Sequence, residues 1–301
     1  MKFLLSGGSG FLGCYIHSAL MNRGYTVESM GRSSKNEICT DITQNVPSLG
    51  KYDVFVHCAG KAHVTSEKTI LKEDFFLVNV RGTQNILNAL VEPPKKIVFI
   101  STVAVYGCNE GELINESHPL SPNSPYAISK FDAETVLLEW CRKRNVELII
   151  LRLPLIFGNN APGSLGQMKK MIASGKYISI YGNNALKSWV LAEDIAEFIA
   201  ANQYSQGIFN LTDGDNPSIG KIENAIANLV QKKIRFFIPL IWLKLIAVFG
   251  DGLRRIKIPF PVYTSRLKKL TSSLTFDDSL ARRTLDWKPR SVINYILNRQ
   301  N

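Results

Sequence analysis

The feature that most constrains this chain begins at position 7 and reads Gly7-Gly8-Ser9-Gly10-Phe11-Leu12-Gly13. Its glycines fit G-x-x-G-x-x-G through Gly7, Gly10 and Gly13, and also G-x-G-x-x-G through Gly8, Gly10 and Gly13. The apolar run at residues 3–6 reads as a buried strand, and Leu12, Tyr15, Ile16, Ala19 and Leu20 after it share one face of a helix that Gly24 would end. A glycine turn between a strand and a helix N-terminus admits a pyrophosphate close to the backbone and offers it N–H donors and a positive dipole. Glycine turns alone are common, so the strand and helix context is what gives this one weight.

Further apolar runs at residues 54–58, 97–101 and 148–151 read as buried parallel strands separated by helix-like stretches. A second strand is expected at residues 26–30, with a short third one reaching Thr40-Asp41. The alternation predicts an α/β fold, a Rossmann-type doubly wound parallel sheet. Beyond about Pro162 it fades into longer helical patterns at residues 222–230 and 238–249, which implies a smaller C-terminal substrate-binding lobe. The expected division assigns residues 1–160 and roughly 177–213 to an NAD(P)-binding domain, and 161–176 and 214–301 to the lobe. At 301 residues, 45% hydrophobic and 20% charged, the chain has the composition of a folded protein and excludes a disordered or collagen-like one.

The 36 Lys and Arg against 25 Asp and Glu leave a surplus of +11, which favours anionic partners. The basic residues read as scattered, with modest clusters at residues 142–144, 254–255 and 266–269, so no nucleic-acid partner is expected. Cys14, Cys39, Cys58, Cys108 and Cys141 show no C-x-x-C spacing and no His cluster, so the expectation is no metal, no disulfide framework and a reducing cytoplasmic setting. The opening Met-Lys-Phe-Leu-Leu resembles a signal peptide until Gly7 interrupts it, and reads better as a first strand. The apolar run at residues 236–249 contains Pro239 and Lys244 and falls short of the ~20 residues of a membrane span. It is expected to be a helix packed on the second lobe; the alternative is a membrane-surface helix with Arg254, Arg255 and Lys257 beside it.

Tyr126 and Lys130 form Y-x-x-x-K after Ser124-Pro125, where proline suits the first turn of a helix. Four residues apart, phenol and ammonium project from one face. A tyrosine titrating near ~10 is a poor base at neutral pH, and a neighbouring ammonium and a cationic nicotinamide would lower that value. An isolated Y-x-x-x-K is often only an exposed helix face. Here Ser101-Thr102 ends the apolar strand upstream and puts a hydroxyl at a strand's carboxyl end, the ligand edge of such sheets.

Together these motifs resemble the extended short-chain dehydrogenase/reductases, specifically the NAD(P)-dependent nucleotide-sugar epimerase/dehydratase family. Landmarks span nearly the whole chain: the glycine loop, Asp41-Ile42, His57-Cys58-Ala59-Gly60, Asn79-Val80-Arg81-Gly82-Thr83, and Thr102 before Val105-Tyr106-Gly107. Tyr126/Lys130, Arg152 before Phe157-Gly158, and Leu285-Asp286-Trp287-Lys288-Pro289 complete them. The resemblance implies a cofactor site of Gly7, Ser9, Gly10, Phe11, Leu12, Gly13, Asp41 (adenine N6), Ile42 (adenine face), Cys58, Ala59 and Gly60 (ribose and pyrophosphate), with Lys130 on the nicotinamide ribose. Tyr126 would exchange a proton with a sugar oxygen to which Thr102 also hydrogen-bonds. Two positions depart from the pattern. Leu155 stands where the family commonly has Asn, and Lys187, before Ser188-Trp189-Val190, replaces an Arg that would contact the diphosphate.

Where an NAD enzyme places a carboxylate at the end of the second strand, this chain reads Met30-Gly31-Arg32-Ser33. Arg32 would bind a 2'-phosphate, which favours NADP over NAD, or is simply a solvated loop cation. The dehydratase branch carries Asp-Glu after the Thr; Val103-Ala104 here do not serve an elimination. What remains is oxidation or reduction at sugar C4: a 4-ketoreductase of a UDP-4-keto-6-deoxy sugar by slight preference, or a UDP-sugar 4-epimerase, in either case for polysaccharide biosynthesis. A non-catalytic NADP-binding module is the alternative of another class. A homodimer through the helices at residues 79–90 and 126–142 is implied by resemblance only.

Overall fold

The computed structural model describes residues 1–62, 72–202, 205–256 and 258–299. Strands β1 (Lys2–Ser6), β2 (Thr26–Gly31), β3 (Ile38–Cys39), β4 (Val54–His57) and β5 (Lys96–Thr102) are followed in the same sheet by Glu147–Leu153 and Gly207–Asn210. All neighbours are parallel, in the spatial order β3-β2-β1-β4-β5 and then the last two. The strands are rich in Val, Ile, Leu and Phe because helices cover both faces. Helix α1 (Phe11–Asn22) and the Ala192–Ala201 helix cover one, through Leu12, Ile16, Ala19 and Leu20 with Ile195, Ala196 and Ile199. The Gly82–Ala89 and Pro125–Arg144 helices cover the other, through Ile86, Leu87, Ala133, Leu137 and Cys141.

This is the doubly wound sheet that the alternation of apolar runs predicts. Chain order reverses on either side of β1, so the carboxyl ends of β1 and β4 flank a crevice, and the glycine loop sits at its lip.

Outside this sheet the strands are short and pair in twos: Leu155–Phe157 with Trp189–Leu191, Ile178–Tyr181 with Phe236–Pro239, and Gly111–Ile114 with Leu274–Phe276. A separate core of Phe157, Leu165, Ile172, Trp189, Ile222, Ile226, Val292 and Ile296 packs the first of these pairs, and the last packs on Tyr106 through Ile114 and Phe276. Trp287 ties the C-terminal end to the main sheet by donating its indole N–H to the Thr212 carbonyl at 2.9 Å.

The apolar run at residues 236–249 departs from expectation twice. Phe236–Pro239 is a strand and the helix is Leu240–Arg255. Nor does that helix pack its large side chains inward: it buries only Ala247 and Gly250, while Ile241, Trp242, Leu245, Val248 and Phe249 face out. The reason is a close approach, because a Cβ on Gly250 would stand 2.0 Å from the Val262 carbonyl oxygen. No side chain fits at that point, and the bulky residues of the stripe are left outside. Lys257 lies outside the described residues. Among the described residues no helix is long and apolar enough to cross a membrane.

Candidate active site

The glycine loop is a turn closed on itself. Gly7 adopts φ +75° and its N–H donates to the Met30 carbonyl at 2.7 Å, while its own carbonyl accepts from Gly10 N–H at 2.9 Å. A Cβ on Gly13 would stand 2.0 Å from that Gly7 carbonyl oxygen, so the start of α1 can lie on the loop only without a side chain. Ser9, Phe11 and Leu12 complete the turn into α1, whose first N–H groups point at the crevice. The result is a cradle that fits a pyrophosphate.

On the β2 side, Arg32 is exposed and lies near enough to Asp41 to help hold its carboxyl below the usual carboxylate range. The larger cause is Asp41 Oδ1 itself, which accepts from Thr43 N–H and Thr43 Oγ1, both at 2.9 Å. Ile42 is buried and packs beneath Gly82 in the sheet's core. A residue that sequence reading passes over, Asn36, holds this end together. Buried at 6% exposure, it donates to Ser9 Oγ at 3.2 Å and to the Ser33 carbonyl at 2.8 Å, and accepts from Ser29 Oγ at 3.1 Å. Its position in a polar loop, Ser33-Ser34-Lys35-Asn36, gave no hint of this burial.

At the other end, Cys58, Ala59 and Gly60 follow β4 along the floor of the crevice. The Ala59 N–H donates to Ser6 Oγ at 3.2 Å, and burial pushes the Cys58 thiol up to about 12, which makes it inert. His57 bridges Ser6 Oγ at 2.6 Å and Thr83 Oγ1 at 2.7 Å, and desolvation lowers it to about 3, so the ring is neutral and structural. Asn79, on a π-helical turn at Leu77–Arg81, accepts from Lys61 N–H at 2.7 Å and donates to Ser129 Oγ at 2.8 Å. Ser129 Oγ in turn donates to the Tyr126 carbonyl at 2.8 Å, which couples the strand end to the tyrosine helix.

That helix, Pro125–Arg144, starts as its sequence dictates: Ser124 caps it by accepting from Ala127 N–H at 3.2 Å, with Pro125 in the first turn. Lys130 is buried, donates Nζ to the Ile100 carbonyl at 2.7 Å and sits 3.9 Å from the Phe99 ring centroid. Desolvation brings it down to about 8. Tyr126 is raised by burial, against which a side-chain hydrogen bond with Thr102 acts, so the phenol keeps its proton. Thr102, Tyr126 and Lys130 thus meet at the carboxyl end of β5, with Gly60 beside Lys130. The arrangement can deliver a proton to, or take one from, an oxygen placed over the crevice.

Beneath it lies a network that pattern reading did not find. Arg152 donates to both oxygens of Glu134, Nε at 3.2 Å and Nη2 at 2.7 Å, and its Nη1 donates to Tyr106 Oη at 3.2 Å. Ser101 Oγ donates to Glu134, and Tyr106 Oη donates to Asn210 Oδ1 at 2.8 Å. Glu134 follows Lys130 by four residues on the same helix face, a spacing that could have revealed it. Lys187 is half-buried, desolvation lowers its pKa, and its Nζ donates to the Lys269 carbonyl at 3.1 Å. Lys268 pairs with Glu110 at 2.9 Å.

Residues 3–211 match the family model described as NAD dependent epimerase/dehydratase family. Among curated proteins, the chain is 30% identical over 250 residues to the N-acetyl-alpha-D-glucosaminyl-diphospho-ditrans,octacis-undecaprenol 4-epimerase of Escherichia coli O157:H7, covering 77% of this chain and 73% of that one. It is 26% identical to the UDP-glucose 4-epimerase of Vibrio cholerae, covering 97% and 92% of the two chains. Its fold is that of the UDP-glucose 4-epimerase of Thermotoga maritima solved with UDP-glucose, at TM-score 0.77 and 17% identity, covering 100% and 97% of the two chains. The Thermus thermophilus UDP-glucose 4-epimerase solved with NAD superposes at TM-score 0.72 and 22% identity, covering 100% and 98%. With the glycine cradle and the Thr102, Tyr126 and Lys130 cluster in place, the extent of these matches establishes that the chain belongs to the NAD dependent epimerase/dehydratase family of extended short-chain dehydrogenase/reductase enzymes.

Proposed function

We propose that this enzyme reduces the 4-keto group of a UDP-linked 4-keto-6-deoxy sugar with NADPH. The observation that carries this reading is the group beside Thr102: Val103 and Ala104 follow it, so proton-transfer chemistry at the site rests on Thr102, Tyr126 and Lys130. The bound nicotinamide would supply the hydride for C4. Tyr126, holding its proton, would give it to the C4 oxygen while Thr102 hydrogen-bonds that oxygen and Lys130 binds the nicotinamide ribose.

The cradle of Gly7, Ser9, Gly10, Phe11, Leu12 and Gly13 would hold the pyrophosphate, with Asp41 and Ile42 at the adenine and Cys58, Ala59 and Gly60 along the ribose and pyrophosphate. Exposed Arg32, at a strand end without a carboxylate, favours the 2'-phosphate of NADP. Lys187, in the part of the NAD(P)-binding domain at residues 177–213 and bonded to the Lys269 carbonyl of the smaller lobe (residues 161–176 and 214–301), would contact the substrate's diphosphate. Ile128 and Leu138, exposed on the helix at residues 126–142, suit a homodimer through that helix and the one at residues 79–90, and the unbonded cysteines suit the cytoplasm.

A 4-epimerase is the second reading, favoured by the names of the relatives in E. coli and V. cholerae. A relative from Stigmatella aurantiaca, 26% identical, is named a ketoreductase. Incubation with NADPH and a UDP-4-keto-6-deoxy sugar separates the two. Stoichiometric oxidation of NADPH is expected; interconversion of 4-OH epimers without net oxidation establishes the epimerase. Formation of a 4-keto-6-deoxy product from UDP-N-acetylglucosamine would refute both.

A further inference from the structure

The outer face of the Leu240–Arg255 helix is built the wrong way round for a buried helix. Ile241, Trp242, Leu245, Val248 and Phe249 stand at i, i+1, i+4, i+7 and i+8, a continuous apolar stripe, and each is 57–66% exposed. A helix in a globular protein normally turns such a stripe to its core. Here the buried positions are Ala247 and Gly250, the latter held against Phe260 and Val262. Phe236 and Phe237, in the preceding strand, are each 54% exposed as well.

The charge around the stripe is just as uneven. Residues 230–272 contain ten Lys and Arg and one acid, Asp251, a surplus of nine where the whole chain has eleven. Lys232, Lys233, Arg235, Lys244, Arg254 and Arg255 are all exposed. The basic residues are scattered along the sequence, but most of their surplus over acids falls in the segment that carries the exposed apolar helix.

These two properties select the occupant. A second copy docked on this face would bring two such surpluses together, and like charges at an interface oppose the contact. An anionic bilayer offers the opposite charge and also an apolar layer shallow enough for a helix lying in its plane. Trp242, with its apolar ring and polar N–H, is suited to the boundary between the two. We propose that the Leu240–Arg255 helix seats the protein in the surface of an anionic lipid bilayer, its stripe in the acyl boundary and Lys244 and Arg255, which flank the stripe, at the lipid phosphates. The inference is independent of which sugar reaction the enzyme performs.

Vesicle flotation of the full chain tests it, with phosphatidylcholine vesicles compared with phosphatidylcholine carrying about one-third phosphatidylglycerol. The protein should float with the anionic vesicles and remain behind with the neutral ones. Trp242→Asp/Phe249→Asp and Lys244→Glu/Arg255→Glu should each lower partitioning by roughly tenfold or more, and raised salt should weaken it. All four side chains are exposed, so both double variants should keep the parent's Tm and its turnover of a soluble nucleotide sugar. Absence of flotation with anionic vesicles, or equal flotation with both compositions, would overturn the proposal. So would a parent protein that stays soluble as a dimer and becomes monomeric in the aspartate variant, which assigns the face to a second copy.

Discussion

Arg152→Met should destabilise the protein by about 3–5 kcal/mol, the usual cost of removing one partner from a buried ion pair. Arg152 and Glu134 are each 2% exposed at the side chain, and two hydrogen bonds join them. The variant leaves the Glu134 carboxylate in place with Ser101 as its remaining side-chain donor, and also removes a donor to Tyr106. Unfolding entropy of about 2.1 cal/mol/K per residue amounts to about 0.6 kcal/mol per degree for this chain, so Tm should fall by roughly 5–8 °C. Adding Glu134→Leu should recover most of that loss, since a buried pair replaced by apolar side chains is often close to neutral. Thermal melts of the parent, the single and the double variant read this directly. Kinetics add a second readout: with Arg152 beneath the site, kcat should fall more than KM for the sugar nucleotide rises. A Tm drop below about 2 °C, or a double variant no more stable than the single, would refute the reasoning. A steep rise in KM at unchanged Tm would place Arg152 on the diphosphate instead.

Tyr126→Phe should abolish turnover and leave cofactor affinity near that of the parent, because only the transferable proton is lost; calorimetric titration with NADPH checks the second half. Arg32→Ala should erase a preference for NADPH over NADH of about 1–3 kcal/mol, and equal affinities in the parent would remove Arg32 from the site. Gly13→Ala should abolish cofactor binding as measured by titration, since its Cβ would overlap the Gly7 carbonyl, and unchanged affinity would contradict the cradle. His57, held neutral with its value lowered to about 3, binds fewer protons folded than unfolded. Stability should therefore fall as pH drops from about 6.5 toward 3, by up to about 1.4 kcal/mol per unit from this group, and thermal melts across that window should show a shallower slope in His57→Gln.

The glycine loop, the apolar parallel strands and the capped tyrosine helix were legible from the chain alone because each is governed by local rules. A φ that only glycine tolerates well, a strand buried on both faces and a Ser-Pro helix start leave their marks within a few residues of sequence. So does the spacing of Tyr126 and Lys130. Tertiary structure decided what depends on residues distant in sequence. Asn36 became a strut because the glycine loop brings Ser9 over it, and Arg152 became half of a buried pair because its strand lies beside β5 and beneath the Pro125–Arg144 helix. The Leu240–Arg255 helix carries the periodicity of a packed helix, and a periodicity states that one face is apolar without stating where that face points. The backbone at Val262 bears on this where it passes Gly250, since a Cβ there would stand 2.0 Å from the Val262 carbonyl oxygen, and the side chains of the stripe are left outside.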